Sequence, residues 1–109
     1  MLDSKVIQSA VNRMVAQASS PSRVIMFGSY ARGSATEGSD LDLLVVETEI
    51  HDRGDEYMRL LDALGRVAPG VGVDLLLYPL HEFERRSQVP GNVLYHARHE
   101  GKVLHDGID

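Results

Sequence analysis

The stretch VIMFGSYARGSATEGSDLDLLVV, residues 24–46, contains two apolar runs joined by a segment rich in glycine and serine. The first run predicts a buried strand over 24–27. The segment 30–35 is long enough for about two turns of helix, and the glycines and serines around it are typical of turns. A second strand is predicted over 40–46, so the stretch predicts a strand–helix–strand unit.

The second predicted strand carries Asp40 and Asp42 among leucines and valines. Aspartate is a poor strand former, and charged side chains are seldom buried without a partner. Because side chains alternate along a strand, the two aspartates share one face, with Cα atoms about 6–7 Å apart, while Leu41, Leu43 and Val45 share the other. That separation allows two carboxylates to bind a pair of hard cations about 4 Å apart. The aspartates could instead cap turns or pair with arginines at the surface.

Gly28 and Ser29 lie where the first strand ends and the short helix begins. Glycine allows the backbone to approach a ligand closely, and the free N–H groups at the start of a helix attract phosphate. The two residues could also form only a tight strand-to-helix turn. Together with the aspartates, they predict a metal site beside a phosphate site.

The order of these residues is similar to a known signature. Gly28-Ser29, ten intervening residues and then Asp40-Leu41-Asp42 resemble the motif of the nucleotidyltransferase superfamily that includes DNA polymerase beta. The string GSYARGSATEGSDLDLLVV resembles the minimal nucleotidyltransferases, whose typical form is GSxARGxxxxxSDxDLxV. The end of the chain, PGNVLYHARHEGKVLH, also resembles that family. The resemblance implies a nucleotidyltransferase fold like the palm of polymerase beta.

The composition is ordinary for a small globular protein. The chain has 109 residues, 43% hydrophobic and 25% charged, which favours a single domain over 1–109. It contains no cysteine, which excludes disulfides and thiolate nucleophiles. We expect a cytoplasmic protein, because no apolar run is long enough for a membrane helix and no signal peptide pattern is present. A net charge of −5, with no basic cluster larger than Arg85-Arg86, argues against binding to long nucleic acid.

Apolar periodicity and turn residues predict the remaining elements. Asp3 and Asn92 are the expected caps of the first and last helices. The segment 47–54 is polar and rich in turn residues. Helices are expected over 4–19, 55–67, 79–87 and 93–100, a third strand over 72–78 and an extended tail over 102–105.

The third predicted strand also contains an aspartate, Asp74. If this strand pairs beside the second, Asp74 lies next to Asp40 and Asp42. The sequence therefore predicts an α/β (α+β) fold. It has a small mixed β-sheet, helices mainly on one face and the aspartates on the open side.

Three neighbouring aspartates repel one another and need cations to be stable together. We expect Asp40, Asp42 and Asp74 to hold two Mg²⁺ ions that join the protein to a nucleoside triphosphate. The resemblance implies that Asp74 also acts as the general base. Gly28 and Ser29 are expected to bind the β- and γ-phosphates.

Two further residues are candidates for nucleotide binding. Arg32 could contact a phosphate, pair with Glu37 or hold the loop. Ser39 is more typical of a residue that supports the loop before the strand. His96 and His99, three residues apart on a predicted helix, could bind a metal, but surface histidines are the favoured interpretation because no third ligand is evident.

The resemblance implies transfer of AMP from ATP to a protein hydroxyl. Minimal nucleotidyltransferases are typically encoded beside a helical HEPN protein. In the pairs that match this motif best, that partner is a ribonuclease toxin, and the nucleotidyltransferase is an antitoxin, here type VII-like, that attaches AMP to a toxin tyrosine. A hetero-oligomer with such a partner is therefore expected. One alternative is a binding module that inhibits its partner by occlusion, and a lower-ranked one is AMP transfer to a small molecule.

Overall fold

The computed structural model describes residues 2–108, which form five helices and four strands. Each predicted helix and strand is present. In chain order the elements are α1 Ser4–Val15, β1 Ser22–Phe27, α2 Gly28–Arg32, β2 Leu41–Glu47, α3 Arg53–Leu64, β3 Val73–Pro79, α4 Leu80–Arg86, α5 Val93–Glu100 and β4 Lys102–Asp106.

The four strands form one mixed sheet in the order β3-β2-β1-β4. β1 is antiparallel to both β2 and β4, whereas β2 and β3 are parallel. α3 makes the crossover that two parallel neighbours require. The predicted extended tail is β4, which pairs with β1 and forms one edge of the sheet, and β3 forms the other edge.

Both faces of the sheet are apolar, and each is covered by a different pair of helices. The two longest helices, α1 and α3, pack on one face, as expected for helices mainly on one side. The shorter helices α4 and α5 cover part of the other face. The residues of β2 divide between the faces by alternation: Leu41, Leu43 and Val45 belong to the core with α1 and α3, and Leu44 and Val46 to the core with α4 and α5.

Local hydrogen bonds explain where the helices begin. The side chain of Asp3 accepts a hydrogen bond from the N–H of Lys5 at 2.7 Å, and that of Asn92 accepts one from Leu94 at 2.9 Å. Both predicted caps are confirmed. α3 begins earlier than the expected residue 55, because the side chain of Asp52 caps it.

Other predicted bounds were also wrong. α1 ends at Val15 rather than at 19, because the chain beyond it tightens into i→i+3 bonds such as the one from Gln17 N–H to Met14 O at 3.0 Å. α2 begins at Gly28 itself. Pro79 was expected in the first turn of α4, but its ψ of 153° is extended, so it ends β3 and precedes the helix. Across residues 2–108, every helix is too short or too polar to span a bilayer.

The prediction of a polar turn from residue 47 was wrong at its first position. Glu47 is the last residue of β2 and is fully buried. It lies on the same face of β2 as Leu43 and Val45, so alternation directs its side chain toward α3. There it meets Glu56, which is 5% exposed on the inner face of that helix.

A proton shared by the two carboxyl groups accounts for this contact. Burial and the neighbouring Glu56 raise the pKa of Glu47 to about 8, so Glu47 is largely protonated at neutral pH. Its Oε1 accepts a hydrogen bond from Ser20 Oγ at 3.1 Å, and no donor reaches its buried Oε2, which leaves that oxygen to carry the proton toward Glu56. Burial alone would raise the pKa of Glu56, but hydrogen bonds from Glu47 and Ser19, with Arg59 nearby, lower it.

Stability should therefore depend on Glu47 between about pH 4.5 and 8. Because the pKa of Glu47 is higher in the folded state, its contribution is complete below the unfolded value of 4.5 and is lost as the pH rises through about 8. The slope from this group is at most about 1.4 kcal/mol per pH unit. Glu47→Gln keeps an acceptor for Ser20 and replaces the acidic proton with an amide N–H that cannot be lost. We expect urea denaturation to show the variant gaining stability relative to the wild type as the pH rises from 5 to 8.

Glu84→Gln is the matched control, since Glu84 lies exposed on α4. Its stability should follow the wild type at every pH. Parallel pH curves for wild type and Glu47→Gln would contradict the shared-proton arrangement.

Candidate active site

The parallel pairing of β2 with β3 brings two of the three predicted aspartates together. Asp42 lies directly opposite Asp74 in the ladder, and on its other side it lies opposite Phe27, the last residue of β1. Asp42 is half-buried and Asp74 is exposed. The sheet therefore places a carboxylate pair at the end of β1 where the glycine turn begins.

The electrostatics of Asp42 reflect this crowding. Burial raises its pKa, and the Asp74 carboxyl, which is within hydrogen-bonding reach, raises it further. Asp40 adds a smaller effect in the same direction, while the guanidinium of Arg32 opposes the rise. The raised pKa of Asp42 indicates repulsion between the carboxylates, and a cation between them would relieve it.

Asp40 lies just before β2 and has a different partner. Its Oδ1 accepts a hydrogen bond from the N–H of Gly72 at 3.1 Å, next to a backbone bond from Leu41 N–H to Gly72 O at 2.9 Å. A Cβ on Gly72 would lie only 2.7 Å from the same Oδ1, so a side chain there would push the Asp40 carboxylate away. Asp40 thus joins the start of β2 to the loop that leads into β3, and it does not complete a group of three carboxylates.

Gly28 lies against the Asp42 carboxylate, which leaves no room for a side chain at residue 28. Its φ of 72° is in the left-handed region that favours glycine, and a Cβ at this position would collide with Oδ2 of Asp42. The glycine therefore permits the aspartate to lie against the turn. Ser29 follows in α2, where its carbonyl accepts a hydrogen bond from Ser34 N–H at 3.0 Å.

The other two nucleotide-binding candidates differ in position. Arg32 is exposed in α2 and is close enough to Asp42 to lower its pKa. Among the ion pairs of the described residues, none joins Arg32 to Glu37. Ser39 belongs to a turn, because its Oγ accepts a hydrogen bond from Thr36 N–H at 2.9 Å.

Magnesium fits the residues at this site by the chemistry of its donors. Asp42 and Asp74 offer hard carboxylate oxygens, which are the ligands that Mg²⁺ prefers, and their mutual repulsion favours a cation. In the described part of the chain, no group of three or more His, Cys, Asp or Glu side chains is arranged to hold a metal ion. The protein therefore offers a two-carboxylate site with Asp40 close by, to which substrate phosphates and water would add further oxygens.

The histidine pair on α5 forms no such site. His96 Nδ1 lies 3.0 Å from Oε2 of Glu100, and His99 Nδ1 lies 2.9 Å from the carbonyl oxygen of Tyr95. Each ring thus has its own partner, and both residues are exposed. This agrees with the interpretation as surface histidines rather than metal ligands.

Comparison with known families identifies the domain. A sequence profile described as nucleotidyltransferase domain matches residues 8–98, which include both the glycine turn and all three aspartates. The chain belongs to the nucleotidyltransferase domain family. The nucleotidyltransferase domain also resembles "Putative protein adenylyltransferase MJ1379" of Methanocaldococcus jannaschii, at 39% identity over 54 residues. That match covers 49% of this chain and 53% of the relative, so the chain spans about half the length of the curated relative it matches.

Solved structures show the same fold. A Sulfolobus solfataricus protein described as a "putative nucleotidyltransferase" has a TM-score of 0.62 at 21% identity, covering 94% of this chain and 78% of that one. A toxin–antitoxin structure with AMP-PNP has a TM-score of 0.59 at 21% identity, covering 91% and 73%. The toxin–antitoxin MntA-HpeT mutant gives 0.56 at 18% identity, covering 91% and 72%. The mixed sheet and its helices are thus those of a nucleotidyltransferase fold.

The structure adds residues to this region that the sequence did not connect with the glycine turn. Phe27, Val93, His96 and Glu100 line a cavity together with Gly28 and Arg32. The helical periodicity of α5 shows that its exposed face carries polar residues, but it does not show that this face lies beside the glycine turn. Only the packing of α5 against β1 and α2 brings them there.

The fit between Gly28 and Asp42 predicts unequal effects of two glycine substitutions. Gly28→Ala and Gly33→Ala both force alanine into a left-handed conformation, with φ of 72° and 75°, at a cost of about 1–2 kcal/mol. A Cβ on Gly33 meets nothing within 4 Å, whereas one on Gly28 collides with Asp42. We expect urea denaturation to show an additional loss of about 1–3 kcal/mol for Gly28→Ala alone. Equal losses would show that Asp42 moves aside freely.

Proposed function

We propose that this domain transfers AMP from ATP to a hydroxyl group of a protein. The observation that carries the proposal is the meeting of Asp42 and Asp74 beside Gly28, in a chain of the nucleotidyltransferase domain family. Carboxylates that face a backbone turn open to a ligand are suited to joining cations and phosphates.

The phosphate end of ATP would lie at the glycine turn. Gly28 allows a close approach of the backbone, and Ser29 supplies an N–H and a hydroxyl as donors to the β- and γ-phosphates. The guanidinium of Arg32 would contact the same phosphates from α2. Ser39 would support the segment before Asp40 through its hydrogen bond to Thr36.

Mg²⁺ would be held by Asp42 and Asp74, and the Asp40 carboxylate would turn away from the Gly72 N–H to join them as a further ligand. When bound, the metal would neutralise the departing pyrophosphate and lower the pKa of the attacking hydroxyl. The protein's own contribution is to hold Asp42 and Asp74 side by side, since the two residues are paired in the ladder between β2 and β3.

The group transfer balances without any other reactant. The hydroxyl oxygen forms a bond to the α-phosphorus of ATP while the bond from that phosphorus to the bridging oxygen breaks, and pyrophosphate leaves with the electron pair. Asp74 would accept the hydroxyl proton, because it lies exposed beside Asp42 and can be reached from solvent.

The relatives support the proposed acceptor and partner. The matched Methanocaldococcus jannaschii protein carries the name of a protein adenylyltransferase, which supports a protein acceptor. Two structural neighbours are toxin–antitoxin assemblies, one with AMP-PNP, and these support a toxin partner. The motif resemblance supports a HEPN ribonuclease as that toxin and one of its tyrosines as the acceptor, with the domain acting as the antitoxin.

Substitution of Asp42 tests the proposal. Asp42→Asn should reduce the transfer of label from α-labelled ATP to a co-expressed HEPN partner. Loss of several kcal/mol of charge stabilisation corresponds to on the order of a thousandfold in rate. Asp62→Asn, at an exposed position of α3, is the control and should transfer label at the wild-type rate.

Stability separates loss of chemistry from loss of fold. Because burial and Asp74 raise the pKa of Asp42, the neutral asparagine should leave the domain at least as stable as the wild type at pH 7. Undiminished labelling by Asp42→Asn would refute the role of that residue. If the wild type neutralises its partner and the partner's intact mass shows no AMP adduct, inhibition by occlusion replaces the proposal.

A further inference from the structure

A cavity of about 400 Å³ lies between α2 and α5, next to the glycine turn. This volume is in the range of small-molecule sites, about 300–1,000 Å³. Gly28 and Arg32 belong both to this cavity and to the proposed phosphate site, so a ligand bound at one extends naturally into the other. The cavity is lined by Phe27, Gly28, Arg32, Val93, His96 and Glu100.

The walls of the cavity combine apolar surface with hydrogen-bonding groups. Phe27 is half-buried, and Val93 is one of the exposed large apolar residues of the described chain, at 44% exposure. Arg32, His96 and Glu100 supply charge and polar atoms. A nucleoside needs this combination, because its base packs against apolar surface while its sugar hydroxyls form hydrogen bonds.

The pairing of His96 with Glu100 determines which ring nitrogen is available. A carboxylate only accepts hydrogen bonds, so Nδ1 of His96, 3.0 Å from Oε2 of Glu100, is the donor. In the neutral ring Nε2 is then an acceptor, free to bind a hydroxyl hydrogen. Tyr95 meets the His96 ring edge-on, with ring centroids 5.8 Å apart, and helps to fix its orientation.

His99 provides a contrast on the same helix. Its Nδ1 lies 2.9 Å from the carbonyl oxygen of Tyr95, and its ring stacks on the Tyr95 ring with centroids 4.1 Å apart. It is exposed like His96 but does not line the cavity. The helix thus contains one histidine at the cavity and a matched one outside it.

We propose that this cavity binds the nucleoside of the triphosphate and that Nε2 of His96 accepts a hydrogen bond from a ribose hydroxyl. The inference rests on the proposed function. When the phosphates lie at Gly28 and Arg32, the nucleoside packs against the wall of the cavity formed by Phe27 and α5. His96 is then a substrate-binding residue, and Glu100 is a positioning residue that sets its tautomer.

Nucleotide binding measured by calorimetry in the presence of Mg²⁺ tests the inference without any acceptor protein. The ligands are ATP, 2′-deoxy-ATP, 3′-deoxy-ATP and tripolyphosphate. The wild type should bind one deoxy analogue about tenfold more weakly than ATP, the effect of one lost hydrogen bond. His96→Leu should bind ATP as weakly as the wild type binds that analogue. The affinities of His96→Leu for the analogue itself and for tripolyphosphate should equal those of the wild type. His99→Leu should behave like the wild type.

The remaining outcomes overturn the inference in distinguishable ways. The His96 side chain is 54% exposed, so leucine there leaves the fold intact, and a thermal melt verifies it. If the wild type binds ATP and both deoxy analogues alike, or if His96→Leu keeps the discrimination, the inference fails and the proposed function stands. Weaker tripolyphosphate binding by His96→Leu would place phosphates in the cavity instead. If the wild type binds none of these ligands, both the inference and the proposed function are wrong.

Discussion

The contact between Asp42 and Gly28 is the constraint on which the candidate site depends. The carboxylate occupies the space where a side chain at residue 28 would begin, so residue 28 must be a glycine for Asp42 to lie there. The contact forms because β1 and β2 are antiparallel, which places the end of β1 beside the start of β2. β3 then adds Asp74 in parallel register, and the turn, the acid pair and the opening of α2 become one unit.

Strand β2 carries a carboxyl pair near each end, and the two pairs are stabilised differently. Asp42 meets Asp74 on one face, near solvent, where a cation from solution can balance the charge. Glu47 meets Glu56 on the other face, where both are buried and a shared proton together with serine hydroxyls replaces the cation. The difference follows from access to water. A metal cation must lose its bound water to enter a closed site, whereas a proton on a carboxyl group brings no hydration shell with it.

The sequence was sufficient for those features that depend on neighbours along the chain. Alternation placed Asp42 on the face of β2 opposite to Leu41, Leu43 and Val45, although Asp40 lies just before the strand rather than in it. The caps Asp3 and Asn92 follow from the chemistry of their side chains. The sequence also predicted that Asp74 lies beside Asp42, on the condition that the third strand pairs with the second.

Features that depend on contacts between distant segments could not be predicted in this way. Nothing near Asp40 indicates that its carboxylate bonds to Gly72, which is brought close by the crossover through α3. Glu47 continues the alternation of β2, but a glutamate at the core face becomes plausible only when Glu56 is known to lie opposite. Likewise, the exposed face of α5 could be identified, whereas its place beside Gly28 depends on packing.

The sheet order also bears on what kind of acceptor the proposed reaction can use. β3 is an edge strand, so Asp74 lies at the margin of the sheet rather than in its centre. Its exposed carboxylate, like that of Asp40, can be approached by a large molecule without displacing a neighbouring strand. A tyrosine on the surface of another protein reaches such a margin more easily than a deep pocket. The position that would suit Asp74 to accept a proton in the proposed reaction therefore also favours a protein substrate.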